Sequence, residues 1–307
     1  HLTGYPRPNS HLGKMLLDGY APAGEPMPIA IVIGADQPSH LSSTATFRIG
    51  GDEVELAGGL GERAVELVKC ETSDLYVPAS AEIVVEAEIY PDKIAQEGPY
   101  GEYPGYRSGE MGNSVCARVT AITHRKDPIF TIDTTGFMDS SAVTTSISGA
   151  IAIRRRLERY DIPVSEVYIP PESGVHMAIV SVRRGGPDIA QKVVEILTAR
   201  RALMSKIIVV DEDVDVFNMS AVIHAFSTKC HPERGTHVHT YEGRANALTP
   251  AYSQEERVNQ LGASVAFDAT WPPDWPVGST PIRATLDSMY SQDVQDRVNA
   301  RWNKLGL

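Results

Sequence analysis

Ala81-Glu82-Ile83-Val84-Val85-Glu86-Ala87-Glu88-Ile89-Tyr90 alternates with a period of two, Ile83, Val85, Ala87 and Ile89 on one side and Glu82, Val84, Glu86 and Glu88 on the other. That is a β-strand with one apolar and one wet face. Around it, Met27 to Gly34, Thr46 to Ile49, Ala64 to Cys70 and Ser114 to His124 read as further short strands, densely punctuated by Gly and Pro. The first part of the chain is therefore expected to be a mostly antiparallel sheet or split barrel.

The pattern changes at Ser140 to Tyr160, where a run of small residues leads into Arg154, Arg155 and Arg156, and Pro163 forbids continuation. A strand at Val175 to Val182, a helix at Pro187 to Leu203, a strand at Lys206 to Val210 and a helix at Ser220 to Phe226 then alternate as in a layered α/β unit. In Thr285 to Lys304, Leu286, Met289, Tyr290, Val294, Val298 and Trp302 recur every three or four residues, an apolar helix face expected to dock on its own domain or on another subunit. The fold class expected is α+β or α/β: residues 1–139 a β-rich domain, 140–163 a connecting helix, 164–284 a smaller α/β domain and 285–307 a docking helix.

A formal net charge of -11 opposes binding to a phosphate backbone, and no stretch of the sequence is apolar for long enough to span a membrane. Cys70, Cys116 and Cys230 lie far apart without a CxxC spacing, which argues against a disulfide framework and for the cytoplasm. The chain starts at His1 rather than Met, so it is expected to begin inside a longer product. Cys230, His231, His237 and His239 form a CHx5HxH pattern that fits no standard zinc spacing and reads as a loop.

The segment with chemical content is Glu97-Gly98-Pro99-Tyr100-Gly101-Glu102-Tyr103-Pro104-Gly105-Tyr106. Two carboxylates in a loop stiffened by proline can share a site, where mutual repulsion keeps one protonated near neutral pH. Taken alone, the same residues fit a surface turn, an acid/base pair or the carboxylate pair of a glycoside hydrolase.

The segment resembles the EGPxG(E/D)xxGY signature of the UbiD-like decarboxylases, whose members include ferulic and phenylacrylic acid decarboxylases. Other blocks match that family in order: Ile31 to Asp36, the VKCETSDLYVPASAEIV run from Val68 to Val84, Val209 to Asn218, and Val222 to Thr228. The resemblance implies that residues 1–139 bind prenylated FMN, which takes up the electrons released as CO2 leaves an unsaturated, aromatic or heteroaromatic acid. It implies that Glu102 donates the proton to the carbon that loses CO2 and that Glu97 belongs to a charge network beside the flavin. Pro99 and Lys229 would contact the cofactor. His11 and Glu53 would ligate a divalent metal, Mn2+ by family habit, through which the phosphate is held, with K+ near Ser43 and Ala45.

By the same resemblance Arg7, Ser10, Tyr103, Ser146, Asn246 and Leu248 line the substrate pocket, making it more polar than that of a cinnamic acid enzyme. The family's metal-binding Asn and catalytic Arg fall before His1, so a separate N-terminal chain or a longer precursor is expected to supply them. The alternative expectation is a cofactor-holding subunit, inactive without that partner. A homodimer or higher homo-oligomer is the expected assembly, the carboxylic acid the small-molecule partner, with neither nucleic acid nor membrane.

Overall fold

The computed structural model describes residues 2–4, 10–45, 50–107, 113–184, 186–199, 203–276, 278–302 and 304. Expectations that fall on Thr46 to Ile49 and on Arg7 lie outside the described residues. The first sheet is antiparallel, in the order β1 (Leu2–Gly4), β6 (Asn113–His124), β5 (Ile83–Gln96), β2 (Met27–Ile33), and curls into a half-barrel. Leu67–Lys69 and Tyr76–Pro78, β3 and β4, form a separate ribbon.

The wet face expected on β5 is only half wet. Ile89 and Ala87 pack with Met27, Leu16 and Ala117 on one face, whereas Val84 packs with Cys70 and Val77 on the other, so the two faces are covered at opposite ends of the strand. Glu86 lies on the second face, 1% exposed. Its carboxylate accepts hydrogen bonds from Glu71 N (2.7 Å), Thr72 N (2.7 Å) and Thr72 Oγ1 (2.6 Å). Burial alone would raise its pKa, but those donors outweigh it and hold the group below the ordinary glutamate value.

Helices missed in the sequence fill the spaces between strands: α1 (His11–Lys14), continuing through a π-helical turn at Met15–Tyr20 into α2 (Ala21–Ala23), then α3 (Gln37–Ser43) and α4 (Glu53–Leu60). Each of α1, α3 and α4 starts at a side-chain cap, Ser10, Asp36 and Asp52 respectively, which satisfies a backbone N–H of the first turn. Short helices rich in Gly and Ser carry too little hydrophobic periodicity to announce themselves.

The long helix α5 (Ser140–Glu158) leads to a five-stranded sheet, ordered β10 (Thr236–Tyr241), β11 (Gly262–Ala269), β9 (Lys206–Asp211), β8 (Met177–Val182), β7 (Val164–Tyr168). The central pairs β11·β9 and β8·β9 are parallel, and both edges are antiparallel. Ala178, Val180 and Val182 face α5 and α6 (Ile189–Thr198), while Ile179, Ile208 and Val210 face α7 (Met219–Lys229). Covering both faces explains why these strands read as unbroken apolar runs. The tail breaks at Tyr290 and Ser291 between α9 (Leu286–Met289) and α10 (Gln292–Trp302). Neither tail helix has a buried residue, and Met289, Tyr290 and Trp302 are exposed, so the expected docking on its own domain is not made.

Candidate functional site

The Glu97–Tyr106 loop leaves the end of β5 and is braced from inside and outside. Glu102 N donates to Tyr106 O (3.0 Å), Gly105 N donates to Glu102 O (2.9 Å), and Gly101 bridges to Arg107. A Cβ at Gly101 would meet Thr135 Oγ1 at 2.7 Å, and one at Gly174, whose φ is +54°, would meet Pro104 Cα at 3.1 Å. Glycine at both places lets the loop sit between the segment entering α5 and the turn before β8. Ser114 Oγ on β6 donates to Glu97 Oε2. Burial, followed by the negative fields of Glu97 and Glu102, pushes the Tyr100 phenol up, which sets both carboxylates within electrostatic reach of one ring.

The loop is tied to the second sheet through Tyr103. Asn246 Nδ2 donates to the Tyr103 hydroxyl at 2.7 Å, and Asn246 Oδ1 accepts from Leu248 N (3.2 Å). Tyr103 also stacks on His176, ring centroids 6.0 Å apart at 23°. The His176 ring sits between Gly174 O (2.6 Å from Nδ1) and Thr249 Oγ1 (3.2 Å from Nε2), which assigns its proton to Nδ1. Burial, with the nearby Lys206 charge, lowers its pKa against the raising effect of the Gly174 carbonyl, so the imidazole is neutral. Sequence reading missed His176 because a lone histidine before an apolar strand carries no spacing signal. Beside these groups lies a cleft of about 570 Å³, its walls including Pro104, Gly105, Tyr106, His176, Lys206 and Thr249.

Of the pocket residues expected, Tyr103, Asn246 and Leu248 come together. Ser146 is buried on α5 and donates to Ile169 O (2.7 Å), a bond that fastens helix to sheet. Ser10 accepts from Gly13 N as the cap of α1. The ammonium of Lys229 is held by Asp211 (2.9 Å) and Asp213 (3.5 Å) and lies 5.0 Å from the Trp271 ring centroid, on the α7 face of the second sheet. Asp211 also accepts from Trp271 N, and burial raises its pKa despite Lys229.

His11 and Glu53 begin α1 and α4, the imidazole exposed and the carboxylate half-exposed. One imidazole and one carboxylate open to solvent suit a hard divalent ion. Among the described residues no group of three or more His, Cys, Asp or Glu is arranged to hold a metal. Ser43 and Ala45 close the end of α3 and the residues after it, Ser43 Oγ donating to His40 O. His237 and His239 lie on β10 rather than in a loop, and His231 Nδ1 accepts from Glu233 N and Arg234 N. A second cavity of about 400 Å³, against α3 and α4, is lined by Asp36, Arg63, Glu66 and Arg125 and touches no residue of the loop. Among the described residues no helix is long and apolar enough to cross a membrane.

Comparison with known proteins agrees with this architecture. Residues 1–137 match the 3-octaprenyl-4-hydroxybenzoate carboxy-lyase Rift-related domain, and residues 143–269 match the C-terminal domain of the same carboxy-lyase. The UbiD-class enzyme HmfF from Pelotomaculum thermopropionicum, solved with FMN, is 28% identical with a TM-score of 0.77, over 94% of this chain and 63% of its own. An evolved dimeric form of the same enzyme, solved with prFMN, is 27% identical with a TM-score of 0.71, over 95% of this chain and 61% of its own. Vanillic acid decarboxylase from Sedimentibacter hydroxybenzoicus, in open form, is 26% identical with a TM-score of 0.74, over 96% and 62%. The chain thus spans less than two thirds of the length of the structures it matches. With both sequence domains and the whole arrangement of sheets in common, the chain belongs to the UbiD carboxy-lyase family.

Proposed function

We propose that this chain forms the cofactor-binding and C-terminal part of a prenylated-FMN-dependent decarboxylase acting on an aromatic, heteroaromatic or α,β-unsaturated acid. The observation that carries the reading is the Glu97–Tyr106 loop, with two carboxylates acting on Tyr100 and a wall of the cleft formed by the residues that follow Glu102. When bound, prenylated FMN supplies the electron sink for the departing CO2. Exposed Pro99 and Tyr100 offer flat apolar surface to a ring, and His11 and Glu53 offer one imidazole and one hard carboxylate to Mn2+; K+ belongs beside Ser43 and Ala45.

The chain's own residues then divide the work. Glu102 delivers the proton to the carbon that loses CO2, and Glu97, fixed by Ser114, belongs to a charge network beside the flavin. Tyr103, clamped by Asn246 and His176, holds the loop against the second sheet, so Glu102 is aimed by a rigid backbone rather than by a free turn. The assembly is a homodimer or larger. The test is CO2 release from a panel of aromatic acids by the full-length protein loaded with prenylated FMN and Mn2+. Release that stops with Glu102→Gln supports the reading; no release from any acid refutes it. The second reading, a cofactor-holding subunit, would appear as flavin binding by this chain with turnover only after a separate polypeptide is added.

A further inference from the structure

The cavity of about 400 Å³ against α3 and α4 holds two arginines with little to do in the fold. Arg63, which follows α4, reaches Asp36 at 3.5 Å, and Arg125, which follows β6, reaches Glu82 at 3.7 Å. Among the described residues neither guanidinium donates a hydrogen bond to the protein, whereas Arg183 and Arg257 tie down backbone carbonyls. The ordinary account of such side chains, 72% and 52% exposed, is solvation. Their placement sets them apart. Ser80 Oγ also reaches Asp36 at 3.5 Å, and Glu82 lies just beyond Ser80, so both ion pairs meet the turn at residues 79–82 and both arginines line one concavity. The carboxylates that hold them are themselves fixed, Asp36 by Ser39 N (2.9 Å) and Glu82 by Ile129 N (3.1 Å). The two guanidinium forks are thus steered while their N–H groups stay open to a ligand.

We infer that Arg63 and Arg125 bind a phosphate group in this cavity. Forks carried by two different elements serve oxygens on more than one side of a ligand, which suits a tetrahedral dianion; a carboxylate presents one edge and is satisfied by one fork. Glu66, an exposed carboxylate of the same wall, opposes the added charge of a di- or triphosphate. The ligand class is therefore a single phosphate, free or as a monoester. None of His11, Glu53, Pro99 and Glu102 lines the cavity, so the site is not the one proposed for the flavin.

The experiment titrates inorganic phosphate calorimetrically into the full-length protein loaded with prenylated FMN and Mn2+, freed of excess metal, at constant ionic strength and with acetate for comparison. Binding is expected with a Kd of about 1 mM, and Arg63→Met and Arg125→Met should each weaken it about tenfold. Arg301→Met, on the exposed α10, removes the same charge elsewhere and should leave the affinity unchanged. No binding of phosphate, an affinity that neither cavity variant alters, an equal loss in Arg301→Met, or acetate binding as tightly as phosphate overturns the inference. Phosphate binding seen only before the flavin is loaded also overturns it, by placing the anion in the flavin site. Glycerol 3-phosphate separates the two sources: binding tighter than inorganic phosphate makes the ligand an ester, and equal or weaker binding makes it the free ion, both upholding the site. Matching thermal melts of the parent and the variants without phosphate exclude misfolding as the cause of a lost affinity.

Discussion

The side-chain amide of Asn246 donates to the hydroxyl of Tyr103 at 2.7 Å, joining residues 143 positions apart and linking the carboxylate-bearing loop to the second sheet. Tyr103→Phe keeps the stack on His176 and loses this bond, so it should cost about 1 kcal/mol in urea unfolding. Asn246→Ala also strips Leu248 N of its acceptor and should cost more, about 2 kcal/mol. Equal losses would show that the Leu248 contact is idle.

Glu102→Gln should abolish CO2 release by the full-length enzyme while the flavin absorbance of the purified protein is retained. The assigned role is proton donation, which an amide cannot perform, rather than ligation. Loss of flavin in the variant would mark Glu102 as structural.

His176 makes stability depend on pH in a definite direction. Its folded-state pKa lies below the ordinary 6.5, so the unfolded chain takes up the proton first and acid favours unfolding. The contribution is complete above 6.5 and is lost as the pH falls toward the depressed value. His176→Gln should therefore show a flatter melting temperature than the parent between pH about 7 and about 5. A parallel decline in both proteins would refute the assignment.

Glu86→Gln should be among the more damaging single changes in the first sheet, by about 2 kcal/mol, since one carboxamide oxygen cannot serve three donors and its NH2 would face one of them. Thr72→Val, which removes one donor and the link to Thr120, should cost less. Chemical denaturation of the two variants side by side gives the order.

Lys229→Met leaves Asp211 half-buried without its cation and should cost about 2 to 3 kcal/mol while flavin affinity stays at the parent level. A weakened affinity at unchanged stability would instead mark Lys229 as a contact of the cofactor.

How far the sequence disclosed this arrangement differed from one element to the next. The parallel strands β8 and β9 were visible because burial on both faces writes an apolar run, and the Glu97–Tyr106 loop because its spacing resembles a family signature. The helices α3 and α4 were not, since their turns are closed by caps at Asp36 and Asp52 rather than by an apolar stripe. The ion pair of Lys229 with Asp211 and Asp213 was equally hidden, because sequence position cannot say that two aspartates wait across the sheet. Strands β7, β10 and β11 went unread, so the residues of the cleft between the loop and the second sheet could not be assembled in advance.

The diagonal covering of β5 also has an engineering consequence. Ile31, Val85 and Ile122 stand in register across β2, β5 and β6 on the end of the face that Leu16 and Met27 leave open, with Ile31 and Ile122 exposed. Mutational tolerance should therefore run corner to corner rather than face by face: a polar residue at Ile122 meets solvent, while the same change at Ala117, a few residues along the same strand, falls inside a packed cluster.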